Sequence, residues 1–323
     1  MKKQSKTTKC LNAPKPIKRF AVVALFLLTG FSLYAQQDPQ FSQYMFNPLT
    51  VNPAYAGSRG MMNGALVYRQ QWVSFPGAPN TQVFSINTPL RKGKVGLGGE
   101  IIRDQIGPKN SLGAYFDYAF RMPLGKGKLA FGLGAGLVSY RIRWSDIDYR
   151  DQADAYNQLA DEVHTLPDFK FGVFFNNKKF YTGISITHLN RAQYGHYIAD
   201  SITNTATMRR HSFFTIGRAF TMGSNFTFSP SFMLRGVVGT SLYSADVNLN
   251  FRYKEVIWFG ASFRSENSVI VMAQYSINDK WKVGYSYDAS FGRMAGYHGG
   301  SHELMLGFDF NLFQSEVMSP RFF

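Results

Sequence analysis

From about residue 62 onward, apolar and polar residues alternate in segments of about ten. Leu112, Ala114, Phe116, Tyr118 and Phe120 fall on one face, and Gly113, Tyr115, Asp117, Ala119 and Arg121 on the other. Tyr243, Ala245, Val247, Leu249, Phe251 and Tyr253 oppose Ser244, Asp246, Asn248, Asn250 and Arg252. Leu304, Leu306, Phe308, Phe310 and Leu312 oppose Glu303, Met305, Gly307, Asp309 and Asn311. A period of two is that of a β-strand with one greasy and one polar face. Fourteen such segments lie near 62–73, 79–89, 94–104, 111–122, 127–143, 168–177, 179–189, 208–219, 224–235, 240–253, 255–264, 268–276, 280–290 and 301–312.

A soluble sandwich also alternates, with its greasy face inward. Three features favour a membrane barrel instead. The greasy faces end in aromatics, as at membrane interfaces, and about ten tilted residues cross a bilayer. The polar faces are rich in Gly, Ser and Asn with charges mid-strand, as in a wet lumen. No apolar run beyond residue 35 reaches the length of a spanning helix. The expected fold is therefore all-β: a transmembrane antiparallel β-barrel of about 14 strands, closed because open edges would leave backbone groups unbonded in lipid. The connections agree. Every second one is short ("PLGKGK", "NNKK", "TMGSN", "KE", "NDK"), and the others include the two longest, about 144–167 and 190–207. Short periplasmic turns and long outer loops are the habit of outer-membrane barrels.

Residues 1–35 explain how such a chain would reach that membrane. Lys2, Lys3, Lys6, Lys9, Lys15, Lys18 and Arg19 form a basic head, Phe20 to Tyr34 is mostly apolar, and Ala35 offers a small residue for cleavage. This is the layout of a secretory signal peptide, and the run is short for an anchor. Cys10 precedes it and is the only cysteine, so the expected mature chain uses no disulfide. The formal charge of +15 falls to +8 once the seven charges of the basic head are removed. No nucleic-acid motif accompanies that charge, so no nucleic-acid partner is expected.

Between signal and barrel lies residues 36–61, "QQDPQFSQYMFNPLTVNPAYAGSRGM" in essence. Pro39, Pro48 and Pro53 keep it out of a helix or a central strand. Phe41, Tyr44, Met45, Phe46, Leu49, Val51 and Tyr55 are too many large apolar residues for a solvated linker. The expected organisation is signal peptide 1–35, an irregular segment 36–61, barrel 62–313 and tail 314–323.

"DPQFSQYMFNPLTVNPAYAG" at 38–57 closely resembles the start of mature proteins of the PorP/SprF family of type IX secretion. "GGSHELMLGFDF" at 299–310 resembles that family's closing strand, and "SPRFF" at 319–323 is similar to its tail. The resemblance implies a non-enzymatic outer-membrane barrel that takes part in protein secretion, with gliding adhesins among the clients of some members. Its implied partners are the periplasmic ring, through a lipoprotein or peptidoglycan-linked protein, and the C-terminal domains of secreted or surface-held clients, besides outer-membrane lipid. The segment then reads as a plug in the lumen or a brace at its periplasmic mouth. Phe41, Tyr44, Phe46, Pro48, Pro53 and Tyr55 are its candidate contact residues, and His302 and Glu303 mark the closing strand. The alternatives are a channel or hydrophobic-solute transporter of the fatty-acid transporter type, and an outer-membrane enzyme.

No residue pattern points to catalysis, a cofactor or a metal. "GLGAGL" (Gly132, Gly134, Gly136) and "GLGG" (Gly96, Gly98, Gly99) lack the spacing of a phosphate loop and no helix follows. They read as strand faces cleared of side chains, suited to admitting the opening segment. His298 and His302 are spaced as a helical zinc pair, but Gly299 and Gly300 between them argue against a helix. Asp146, Asp148, Asp151 and Asp154 lack calcium-loop spacing and read as an acidic outer loop, followed by a short amphipathic helix over "DAYNQLADEV". Eight lysines (Lys92, Lys94, Lys126, Lys128, Lys178, Lys179, Lys254 and Lys280) fall on or beside the short turns, a basic rim able to meet an acidic partner.

Overall fold

The computed structural model describes residues 38–150, 160–198, 201–292 and 295–310. The signal-like region and the "SPRFF" tail lie outside them. Strands β1 (Met62–Gln70), β2 (Asn80–Leu90), β3 (Val95–Ile106), β4 (Lys109–Leu124), β5 (Gly127–Ile142), β6 (Glu162–Asn176) and β7 (Phe180–Thr187) form the first half of one antiparallel sheet. A separate hairpin follows, β8 (Gln193–Ile198) with β9 (Ser201–Thr207). The sheet resumes with β10 (His211–Arg218), its short continuation β11 (Phe220–Met222), β12 (Phe226–Val237), β13 (Tyr243–Tyr253), β14 (Ile257–Arg264), β15 (Ser268–Ser276), β16 (Trp281–Ser290) and β17 (Ser301–Phe310). β10 pairs with both β7 and β12, and β1 pairs with β17, so the sheet closes. With β11 continuing β10, and β8–β9 set apart, the wall is a closed barrel of 14 strands.

The period-two pattern sets which face looks where. Leu112, Phe116, Leu133, Leu137, Val271 and Leu304 are exposed on the outside of the wall, a lipid-facing surface. Their neighbours in sequence point inward, where Asp117, Asp246, Asn248, Asp288 and Glu303 are buried. Stacked aromatic pairs, such as Phe251–Phe259 at 5.5 Å between ring centres, lie on that outer face. Connections alternate between the two ends. One end carries 71–79, 143–161, 188–210 and 291–300; the other carries only tight turns such as 125–126, 177–179 and 254–256. The long-loop end is the outer end by the usual asymmetry of such barrels.

Two details differ from the sequence reading. β6 begins at Glu162, not near 168, because its alternation continues along β5 as far as the Ile142–Glu162 pair. The proposed helix over 154–163 therefore ends in strand at Glu162 and Val163; most of its length lies outside the described residues. The long connection 190–207 is not plain loop but holds the β8–β9 hairpin.

Candidate functional site

Residues 38–61 run inside the barrel from its long-loop end to its short-turn end. The chain does this as three 3-10 turns, Tyr44–Phe46, Pro48–Thr50 and Pro53–Tyr55. The local cause is a repeated Asn-Pro. Proline suits the first position of such a turn because its fixed φ fits and no N–H is wasted. Asn47 and Asn52 precede the two prolines, and the Asn52 carboxamide oxygen accepts from Ala54 N at 2.9 Å. The Asn52 amide donates outward to the carbonyls of Val173 and Ile184.

The first part, residues 40–46, meets a charged wall. Arg69, Asp246, Arg264, Asp288 and Glu303, from β1, β13, β14, β16 and β17, are all buried there. Arg69 donates to Asp288 at 2.7 Å, to Glu303 at 3.2 Å and to Ser42 Oγ at 2.6 Å. The two oxygens of Glu303 accept the backbone N–H groups of Ser42 and Gln43, each at 2.8 Å. Arg264 donates to Asp246 and to the Phe41 carbonyl, both at 3.0 Å. Charges this deeply buried persist only because they are paired and hydrogen-bonded. Between them sits an apolar cluster: Tyr44 and Met45 against Met233, Ile270 and Met272, flanked by Phe41, Phe46 and Phe213. Phe46 packs edge-on against Trp258 at 5.3 Å. Asn248 donates to the Tyr44 hydroxyl.

The second part, residues 49–57, meets a wall of glycines. A Cβ on Gly132 would stand 2.1 Å from Ala54 N, and one on Gly172 would stand 2.1 Å from the Asn52 carboxamide oxygen. A Cβ on Gly96 would overlap the Ala56 carbonyl, and one on Gly98 would press on Leu49. Leu49, Ala54 and Ala56 are fully enclosed, and Tyr55 packs edge-on against Phe174 at 5.6 Å. At the short-turn end Arg121 donates to the Ala56 carbonyl, Gly57 N to Asn87, and Arg59 pairs with Asp309 at 3.1 Å.

The glycine runs thus divide. Gly96, Gly98 and Gly132 border the segment, whereas Gly134 borders Asp117 and Lys170, Gly136 borders Tyr115, and Gly99 lies on the other face. Of the residues singled out in sequence, Phe41, Tyr44, Phe46, Pro48, Pro53 and Tyr55 all belong to this luminal path. Glu303 joins them from the wall. His302 does not: it points away from Glu303 and meets the Tyr285 hydroxyl at 2.7 Å. Sequence reasoning missed Ser42, Asn52, Arg69, Arg264 and Asp288. The repeated Asn-Pro was a usable signal for Asn52; Arg69, Arg264 and Asp288 show in the sequence only as charges on the polar faces of strands, and nothing marks Ser42.

The match to known families covers segment and barrel together. A family model described as type IX secretion system membrane protein PorP/SprF matches residues 33–308. The chain belongs to the PorP/SprF family. Among solved structures it resembles the CymD monoaromatic hydrocarbon channel, at 10% identity and TM-score 0.51, covering 82% of this chain and 93% of that one. It also resembles the toluene transporter TbuX of Ralstonia pickettii, at 9% identity and TM-score 0.50, with the same coverage. At such identity these likenesses speak for the fold alone. No curated protein sequence matches the chain. As a PorP/SprF protein with a closed β-barrel, it is an outer-membrane component of type IX secretion, and that membership implies contact with other secretion components.

Proposed function

We propose that this PorP/SprF barrel is a non-enzymatic docking component, not a conduit. The carrying observation is the segment 38–61, which runs the length of the lumen and is bonded to opposite walls. In this reading the segment is a plug that stays in place, and the barrel acts through its two ends. The long-loop end receives the C-terminal domains of secreted or surface-held clients. The short-turn end meets the periplasmic ring. Support for the second contact is electrostatic: Lys92, Lys126, Lys178, Lys179, Lys254 and Lys280 are exposed at that end, a rim suited to an acidic partner.

A second reading has one observation in its favour. A recess open to solvent lies beside the segment and is lined in part by Phe41, Tyr44, Ile102, Val138, Phe213 and Met233. An apolar solute would suit it, as in a hydrophobic-solute transporter. Crosslinking in the native host, followed by mass spectrometry, separates the two. Docking predicts attached client domains and ring proteins, together with liposomes that neither conduct nor take up apolar solutes. Uptake by liposomes without any secretion component attached would favour transport.

A further inference from the structure

We propose that Asp38, His188 and His211 form a binding site for a divalent transition metal of the zinc type, which staples the start of the luminal segment to the barrel wall. The proposal does not depend on the docking reading. His188 follows β7 and His211 opens β10, and the Thr187–His211 pairing holds the two imidazoles side by side at the long-loop end. Asp38 comes from the segment, 150 residues away from His188 in sequence. One donor atom from each residue lies within 4.8 Å of the others. His188 Nε2 is 2.8 Å from Asp38 Oδ1, and His211 Nδ1 is 3.3 Å from Asp38 Oδ2.

The donor set is a zinc set. Imidazole nitrogen and carboxylate oxygen bind Zn²⁺ at about 2.0–2.2 Å, which puts tetrahedral donors about 3.3 Å apart. The two imidazole–carboxylate spacings, 2.8 and 3.3 Å, are close to that value. Three protein ligands leave the fourth position to water.

The surroundings are those of a metal site rather than of a bare ion triad. His188 Nδ1 lies 2.8 Å from Asp168 Oδ2, a carboxylate with no exposed surface. A carboxylate behind the second imidazole nitrogen fixes the tautomer and makes the other nitrogen a better ligand. Asp168 is itself held by the Tyr115 hydroxyl at 2.8 Å. His211 Nδ1, the nitrogen 3.3 Å from Asp38 Oδ2, also stands 2.9 Å from the Arg209 carbonyl, and its Nε2 accepts the Asp38 backbone N–H at 3.4 Å, so a metal taken up on His211 displaces one of these two contacts. Thr187 Oγ1 donates to Asp38. An entry path exists, since Asp38, Asp168, Thr187 and His188 line the recess at the segment's side.

The test uses the full protein in detergent, with its purification tag removed and stripped with chelator. Zinc is added, excess removed by desalting, and retained metal counted by mass spectrometry; cobalt(II) in parallel reports geometry through its visible absorption. The expected result is one zinc per chain and a cobalt spectrum that zinc displaces. Retention is lost in the His188→Gln/His211→Gln variant, and Asp168→Asn weakens binding about tenfold. Heat-modifiable migration checks that each variant is still a barrel. Wild-type protein that retains no zinc overturns the proposal whatever the variants do. So does retention that the double histidine variant leaves unchanged.

Discussion

The two walls that receive the luminal segment solve the same problem in opposite ways. The wall built from β1 and β12–β17 holds residues 40–46 by making bonds: Arg69, Arg264, Asp288 and Glu303 reach in and grip backbone and side chain. The wall built from β3, β5 and β6 holds residues 49–57 mainly by getting out of the way: Gly96 and Gly132 let backbone lie on backbone, and Gly172 admits the Asn52 side chain, which bonds the neighbouring Val173 carbonyl. The first gives attachment and the second gives shape. A segment rich in proline needs both, because its short turns bond only part of its own backbone and it has no regular surface to pack.

The largest expected effect breaks the bonding side through its apolar core. Replacing Phe41, Tyr44 and Phe46 together with alanine removes about 1.5–3 kcal/mol of burial for each side chain. The expected outcome is a barrel that still migrates heat-modifiably, with fast protease cleavage before residue 60 and loss of secretion. Cleavage at the wild-type rate would mean that the aromatics are not anchors.

Arg69→Met comes next. It leaves Glu303 buried without its cation and Asp288 with only the more distant Arg264, 3.6 Å away, a change worth about 3–5 kcal/mol in comparable buried pairs. Limited proteolysis of the segment reads the loss. Adding Asp288→Asn and Glu303→Gln to Arg69→Met should restore part of the protection, since no charge is then stranded. If the triple variant is cleaved faster than Arg69→Met, the network acts by geometry and not by charge balance.

The shape side is tested by a smaller change. Gly132→Ala places a methyl against Ala54 backbone, while Gly99→Ala meets nothing nearer than 3.8 Å. Overpacking costs about 1–3 kcal/mol, so Gly132→Ala should raise segment cleavage several-fold and Gly99→Ala should leave it unchanged. Equal behaviour of the two would remove the distinction between the walls.

The two walls also differ in how far the sequence reveals them. Strands were legible because a two-sided wall writes period two into every segment, and the even spacing of short turns fixed the count. The glycine wall was half legible: the "GLGAGL" alternation marks a cleared face, but not that Gly132 admits Ala54 while Gly134 makes room for Lys170. The charged wall was almost illegible, because Arg69 finds Asp288 and Glu303 more than 200 residues away, and only barrel closure brings them together. The same holds for Asp38, His188 and His211. The early start of β6 was missed because Leu166 and Pro167 blur the alternation that the pairing with β5 preserves.

The central claim is that the segment threads the whole lumen, with its start at the outer mouth. Since Cys10 lies in the signal-like region, a single cysteine can be introduced and labelled cleanly. Gln40→Cys, beside Glu266 at the long-loop end, should react with a membrane-impermeant maleimide added to intact cells. Lys126→Cys, on a short turn, should react only after the cells are opened. Labelling of Lys126→Cys but not Gln40→Cys in intact cells would contradict the account, because the segment's start would then lie on the periplasmic side.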